Sequence, residues 1–199
     1  MKTYEYEFEK RAMLTIEQYN EIVLFLNRKY SPAELYIFLL NEYFDTDNLD
    51  LINSGIVLRV RHCLNKGVIL TLKSPLTNED GDLETSQNLS IVEYNYLKDK
   101  SIIPNGPVKD KLISLNVPLH LIKFQTSLAC KRTEIKDDEY VIVLDQNSYN
   151  DIVDFDIEVE GPSLEKANEK ILEYSKMFNF EIKDLYLPKS KRALTSKKV

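Results

Sequence analysis

Residues 3–13 read TYEYEFEKRAM, and their side chains alternate between two kinds along the stretch. Alternation with a period of two is typical of a β-strand, whose successive side chains point to opposite faces. One face would carry Glu5, Glu7, Glu9 and Arg11, and the other Tyr4, Tyr6, Phe8 and Lys10. The sequence therefore predicts an opening strand with one strongly ionic face.

The same alternation recurs along the rest of the chain. Further strands are predicted in the run 35–44, in GIVLRVRHC (55–63), VILTLKSP (68–75), LETSQNLS (83–90), LACKRTEI (128–135), EYVIVLDQNSY (139–149) and VDFDIEVEG (153–161). Turn residues such as Asn65-Lys66-Gly67 separate neighbouring strands and indicate hairpins, so we expect about eight mostly antiparallel strands.

Helical spacing appears between these strands. Thr15 is a plausible N-cap with Gln18 three residues on, for a helix to about Lys29, and Ser163 caps another helix to about Met177. A turn and a short helix are expected over 45–53. Prolines break residues 91–122 into two short helices, and DLYLPKSKRAL (184–194) predicts a last strand or loop that leads into a basic tail at about 188–199.

The charged strand faces have two interpretations. On any one strand, a charged face is most often solvated, with cross-strand ion pairs worth about 0.2–1 kcal/mol each. Alternatively, these faces line a barrel wide enough for water and a ligand, and the apolar faces pack against amphipathic helices. Because the pattern recurs on almost every strand, we expect the second arrangement: a single α+β domain over 1–199, with an eight-stranded antiparallel closed β-barrel and helices outside.

A tunnel lined by both signs of charge needs ligands, because buried charges are costly unless paired. A polyanion would satisfy the lysines and arginines. The carboxylates would hold a hard, oxygen-seeking divalent ion such as Mg²⁺ or Mn²⁺, one or two per chain.

Composition narrows the class of protein. The chain has 199 residues, of which 43% are hydrophobic and 29% charged, so general disorder is excluded. The net charge of -6 argues against nonspecific coating of nucleic acid. No stretch approaches the roughly 18 apolar residues of a membrane span, and a cytoplasmic location is expected. Two cysteines and two histidines predict neither a disulfide framework nor a zinc site.

Eight short motifs in order resemble the CYTH proteins, also called triphosphate tunnel metalloenzymes. The first is Glu7-Phe8-Glu9-Lys10-Arg11, similar to the family's ExExK with Arg11 in the place of the usual Lys. The others are NEYFDTDNLDL (41–51), LRVR (58–61), LTLK (70–73), KRTE (131–134), VLDQNSY (143–149), DFDIEVE (154–160) and PKSKRAL (188–194). The alternative register Glu5-Glu7-Glu9 would put a Glu at the Lys position, and we prefer Arg11.

The resemblance implies an eight-stranded tunnel that binds a triphosphate and divalent metal. It implies phosphate contacts from Arg11, Arg59, Arg61, Lys73, Arg132 and Lys191. It implies metal ligands at Glu7, Glu9, Asp145, Asp156 and Glu158, with Glu160 as a weaker candidate and Asp156 where relatives more often have Glu. Glu7, Glu9, Arg59, Arg61, Lys73 and Arg132 would serve catalysis, while Glu84 is equally well explained as structural, and Lys189 and Arg192 are expected to be tail charges.

Several activities share such a site. Metal-dependent hydrolysis of inorganic tripolyphosphate is the leading hypothesis, because no dedicated base-stacking motif stands out. Thiamine triphosphate hydrolysis, cyclisation of ATP to cAMP, a non-catalytic polyphosphate- or nucleotide-binding module and a ligand-free barrel are the alternatives. The partner would be a small triphosphate, and the sequence leaves a monomer and a homodimer open.

Overall fold

The computed structural model describes residues 4–30, 36–63, 67–75, 82–183 and 186–196, with the side chains of 4–7 left aside. These residues belong to two compact units. Of the described residues, the first unit comprises 4–6, 39–63, 67–75, 82–128 and 189–196, and the second comprises 7–30, 36–38, 129–183 and 186–188.

The first unit contains a four-stranded antiparallel meander. Its strands are β2 (Ile37–Asp45), β3 (Val57–Cys63), β4 (Gly67–Pro75) and β5 (Asp82–Leu89), each paired with the next. Its helices are α2 (Asp50–Asn53), α3 (Ile91–Lys100), α4 (Pro107–Ser114), a 3-10 turn at Leu119–Leu121, and α6 (Lys189–Thr195). One face of the meander is apolar and packs with α3 and α4 in a core that includes Leu58, Val60, Leu70, Leu72, Leu97, Val108 and Leu112.

The second unit repeats this plan with different elements. Its strands follow the antiparallel order β1 (Tyr4–Leu14), β8 (Ile152–Gly161), β7 (Tyr140–Tyr149) and β6 (Lys123–Asp137), of which it contains β1 from Glu7 and β6 from Ala129. Helices α1 (Ile16–Tyr30) and α5 (Leu164–Phe178) cover its apolar face. The shared core includes Ala12, Leu14, Ile22, Leu26, Ile142, Leu144, Ile157, Val159, Ile171, Tyr174 and Phe178. Covering the apolar face in this way leaves the polar face of each strand for the site.

Local chemistry explains where two of the helices begin. At α1, the backbone N–H of Gln18 donates to the Thr15 hydroxyl, and the Thr15 N–H donates to the Gln18 side chain, which confirms the predicted cap. At α2, the buried Asp45 carboxylate accepts from the backbone N–H groups of Thr46, Leu51 and Ile52 at 2.7, 3.0 and 3.0 Å. The Asp of the YFDT segment therefore closes a turn.

The α+β prediction, with eight antiparallel strands and flanking helices, is confirmed over the described residues. The strand pairs within each unit do not by themselves close a barrel, so the closure of the β-barrel stays a prediction. The two predicted helices within 91–122 are also present. The predicted loop is present at 186–188, but the predicted basic tail was wrong over Lys189–Thr195, which is a helix in which Lys189 is only 7% exposed. Sequence alternation could not detect this short helix with three basic residues.

Among the helices of the described segments, none is both long enough and apolar enough to cross a membrane.

Candidate active site

The polar face of the second unit gathers charged side chains from four neighbouring strands. The backbone register sets Glu9 opposite Glu160, Arg11 opposite Glu158, Asp156 opposite Asp145, and Asp145 opposite Arg132. Cross-strand partners on one face have Cβ atoms about 4.5–5.5 Å apart, so their side chains meet. Strand pairing therefore brings together six of the sequence-predicted site residues: Glu9, Arg11, Arg132, Asp145, Asp156 and Glu158.

Arg11 joins two of these carboxylates. Its Nη2 donates to Glu9 Oε2 at 2.6 Å, and its Nε lies 3.1 Å from Glu158 Oε2. Burial alone would lower the pKa of Arg11, but the charges of Glu158 and Glu9 outweigh burial and raise it well above its usual value. Arg11 is thus a permanent cation held between two predicted metal ligands.

Arg132 makes a forked contact on the other side of Glu158. Its Nε and Nη2 each donate to one oxygen of Asp145, both at 2.9 Å, and Nη2 lies 3.7 Å from Glu158 Oε2. Burial lowers the pKa of Arg132, and the charges of Asp145 and Glu158 overcome this and raise it well above its usual value. Glu158 therefore lies within ion-pair distance of two guanidinium groups.

The carboxylates form two overlapping groups that could hold a metal ion. Asp145, Asp156 and Glu158 are all buried, and each offers an oxygen within 4.8 Å of the others. Glu9, Glu158 and Glu160 offer oxygens at the same spacing, but Glu9 and Glu160 are half-buried. Carboxylate oxygens are the ligands that Mg²⁺ and Mn²⁺ prefer, so the donor set fits such an ion. Glu160, the weaker sequence candidate, belongs to the second group. The side chain of Glu7 lies outside the described residues.

Sequence analysis singled out Asp145 but missed a polar network two and four residues later. Asn147 Nδ2 donates to Asp156 Oδ2 at 2.8 Å and to Asp154 Oδ1 at 3.1 Å. The Tyr149 hydroxyl donates to the other oxygen of Asp154. The sequence could have indicated this network through spacing, because Asn147 and Tyr149 lie two and four residues after Asp145 and so share its strand face.

The first unit carries a second set of predicted cations on the polar face of its meander. Arg59 Nη2 donates to Glu84 Oε1 at 3.0 Å, Arg61 Nε donates to Asn41 Oδ1 at 2.9 Å, and Lys73 Nζ lies 3.4 Å from Asp82 Oδ2. The contact of Glu84 with Arg59 fits the structural role that the sequence left open, and the choice between that role and a functional one stays a prediction. Lys191 is half-buried on α6, within the same unit.

Strand alternation also places His62 and the two cysteines of the chain. His62 faces away from Arg61, because its Nε2 lies 2.8 Å from Glu42 Oε2 on the side that packs with α3. Cys130 is buried on the face of Arg132, and Cys63 shares the face of Arg61. The side chain of His62 therefore lies on the helix-covered face of the meander.

Comparison with known proteins gives consistent matches. The family model described as the CYTH domain matches residues 5–187. "Putative triphosphatase YjbK" of Bacillus subtilis strain 168 is 36% identical over 174 residues, which covers 85% of this chain and 86% of that protein.

Two solved structures agree in fold. One is described as "a putative adenylate cyclase" from Bacillus halodurans, with 29% identity, a TM-score of 0.84, and coverage of 95% of this chain and 97% of its own. The other, from Hippeastrum, is described as a "putative adenylyl cyclase" with a dominant triphosphatase activity. It is 18% identical, has a TM-score of 0.64, and the match covers 94% of this chain and 92% of the other. At this identity the match supports the fold alone. With a family model that spans nearly its whole length and a relative above one-third identity, the chain belongs to the CYTH domain family.

Proposed function

We propose that this protein hydrolyses a triphosphate with the help of a divalent ion held in the second unit, and that inorganic tripolyphosphate is the first substrate to consider. The observation that supports this most directly is the position of Glu158. It belongs to both carboxylate groups and lies within ion-pair distance of Arg11 and Arg132. One side chain thus connects the candidate ion ligands with the candidate phosphate ligands.

The ion would be held by Asp145, Asp156 and Glu158, with Glu9 and Glu160 available for a second ion and Glu7 retained as a predicted ligand. Bound Mg²⁺ or Mn²⁺ would lower the pKa of a coordinated water and offset negative charge on the phosphate chain. The strands fix where this charge lies, because the carboxylates of Asp145, Asp156 and Glu158 are buried on β7 and β8.

Arg11 and Arg132 would change partners when ligands bind. In this structure both guanidinium groups contact carboxylates. With those carboxylates engaged as metal ligands, the guanidinium N–H donors of Arg11 and Arg132 would be available to phosphate oxygens, whose geometry they match. Water would then attack the terminal phosphorus, the bond to the bridging oxygen would break, and the two arginines would stabilise charge on the departing diphosphate.

Arg59, Arg61, Lys73 and Lys191 stay predictions as further phosphate ligands. The contacts of the first three with Glu84, Asn41 and Asp82 resemble that of Arg11, a cation held beside an acceptor. Single variants test these four residues one by one. Removal of a side chain that binds phosphate should weaken triphosphate binding without changing the affinity for Mn²⁺.

The test is release of inorganic phosphate from tripolyphosphate, thiamine triphosphate and ATP, each with Mg²⁺, with Mn²⁺ and with chelator. We expect ion-dependent release that is fastest with tripolyphosphate. Thr133→Val is a matched control, because this buried residue lies next to Arg132 in sequence but on the apolar face. Ion-independent release, or none from any substrate, would contradict the proposal.

Cyclisation of ATP is the second candidate, favoured by the description of the Bacillus halodurans structure. The ribose hydroxyl would replace water as the nucleophile at the same site. Measuring cAMP in the ATP reactions distinguishes the two, because hydrolysis yields free phosphate and no cAMP. The predicted cytoplasmic location is kept as a proposal, tested by cell fractionation.

A further inference from the structure

We infer that Asn147 is a positioning residue that holds the Asp156 carboxylate in place for the divalent ion, an inference that rests on the proposed function. Neither the sequence motifs nor the comparisons give Asn147 a role. It lies near the end of β7, two residues after Asp145, and is fully buried.

The contacts of Asn147 fix the orientation of its amide. Nδ2 faces Asp156 Oδ2 at 2.8 Å and Asp154 Oδ1 at 3.1 Å. Carboxylate oxygens of ionised acids only accept hydrogen bonds, so the NH₂ end of the amide must point toward them and the oxygen must point away. The two hydrogens of one nitrogen therefore bind two carboxylates at once.

This arrangement fixes Asp156 where repulsion would otherwise move it. Asp145, Asp156 and Glu158 are each at most 3% exposed and offer oxygens within 4.8 Å of one another. Like charges at this spacing repel and favour rotation of a carboxylate away from its neighbours. A neutral donor on Oδ2 opposes this rotation, and, unlike a cationic side chain, it does not compete with the ion for the carboxylate.

The network extends away from the cluster and makes the donor rigid. Asp154, which shares the Asn147 amide, also accepts from the Tyr149 hydroxyl. The Asn147 amide is thereby held by its hydrogen bond to Asp154 while it donates a second hydrogen bond to Asp156. Partners of this kind, which orient a metal ligand, typically change metal affinity by about 10–100-fold when removed.

The experiment measures Mn²⁺ affinity by calorimetry and electron paramagnetic resonance without substrate, in wild type, Asn147→Leu, Asp156→Ala and the double variant. We expect Asn147→Leu to weaken Mn²⁺ binding by about 10–100-fold. If Asn147 acts through Asp156, the double variant should bind no more weakly than Asp156→Ala alone. Thr133→Val, a similar buried polar-to-apolar change in the same sheet, should keep wild-type affinity.

Two results would overturn the inference. One is wild-type Mn²⁺ affinity in Asn147→Leu, and the other is an additive loss in the double variant. If Asn147→Leu does not fold, Tyr149→Phe gives the answer, since it removes only the O–H donor to Asp154 and should weaken Mn²⁺ binding by a smaller factor; unchanged affinity there overturns the inference as well. If the wild-type protein binds no Mn²⁺, the proposed function is overturned too. If it binds Mn²⁺ and Asn147→Leu binds it equally well, this inference alone is overturned.

Discussion

Arg132 and Asp145 form a forked ion pair across strands β6 and β7, with both donor-to-acceptor distances at 2.9 Å. The two residues are direct partners in the strand register, and Asp145 is fully buried. A planar guanidinium can make both hydrogen bonds at once, whereas an ammonium group acts as a single point charge. This ion pair joins a candidate phosphate ligand, Arg132, to a candidate metal ligand, Asp145.

Arg132→Lys should therefore lower activity although the positive charge stays. We expect kcat/KM for tripolyphosphate to fall by about 10²–10³-fold, the usual effect of losing one preorganised donor in a transition state. Loss of a hydrogen bond to a charged group should also lower the free energy of unfolding by about 1.5–3 kcal/mol, measured by urea denaturation. Lys131→Gln, on the opposite face of β6, is the control and should leave kcat/KM unchanged; equal losses in the two variants would contradict the assignment.

Arg11→Gln should separate ion binding from phosphate binding. Removing the guanidinium frees Glu9 and Glu158 for an ion, so we expect tighter Mg²⁺ binding in the absence of substrate. The same variant should bind a non-hydrolysable triphosphate analogue more weakly. In wild type, Mg²⁺ and the analogue should strengthen each other's binding, by about 5–150-fold in a typical coupling. Calorimetry of each ligand with and without the other gives these numbers, and independent binding in wild type would rule out the exchange of partners.

Glu42 should make stability depend on acid pH. Burial would raise its pKa, but hydrogen bonds from Lys98, His62 and Tyr94 lower it below the usual value of 4.5. A carboxyl with a lowered folded-state pKa stabilises the fold above its unfolded pKa, and that contribution is lost as pH falls through the folded value. Glu42→Gln should thus lower the free energy of unfolding near pH 7, and the difference from wild type should shrink steadily below about pH 4.5.

The measurement is urea denaturation of both proteins at several pH values from neutral to acid. A difference between wild type and Glu42→Gln that stays constant down to the most acidic pH would show that the carboxylate charge does not contribute.

Gly106→Ala should destabilise the first unit without touching the proposed site. Gly106 has a φ of +143°, and an added Cβ would lie 2.5 Å from the Gln87 Oε1 that accepts from the Val108 N–H. We expect a loss of about 1–3 kcal/mol in the free energy of unfolding, with kcat/KM unchanged. Gly67→Ala is matched to it, since φ is +78° but nothing lies within 4 Å of the added atom, so its loss should be smaller. Equal losses would mean that the contact with Gln87 is unimportant.

The sequence predicted those parts of the site that depend on alternation within a strand. Glu9 and Arg11 share a face because they are two residues apart, and the apolar residues Ala12 and Leu14 on the other face mark the helix-covered side. What depends on register or on packing between elements was missed. Asn147 has a role only because β8 places Asp156 diagonally across from it, and Glu42 is an internal acid only because α3 supplies Lys98 and Tyr94. The α6 helix was missed because its seven residues are too few to show a period.

The most direct test of the central claim compares Mn²⁺ binding and tripolyphosphate hydrolysis in wild type and Glu158→Gln. Glu158 belongs to both carboxylate groups and contacts both arginines, and Gln keeps its shape while removing its charge. Wild type should bind Mn²⁺ and release phosphate only with the ion present, while Glu158→Gln should remain folded by circular dichroism and lose both properties together. Ion-dependent release at the wild-type rate in folded Glu158→Gln would contradict the account.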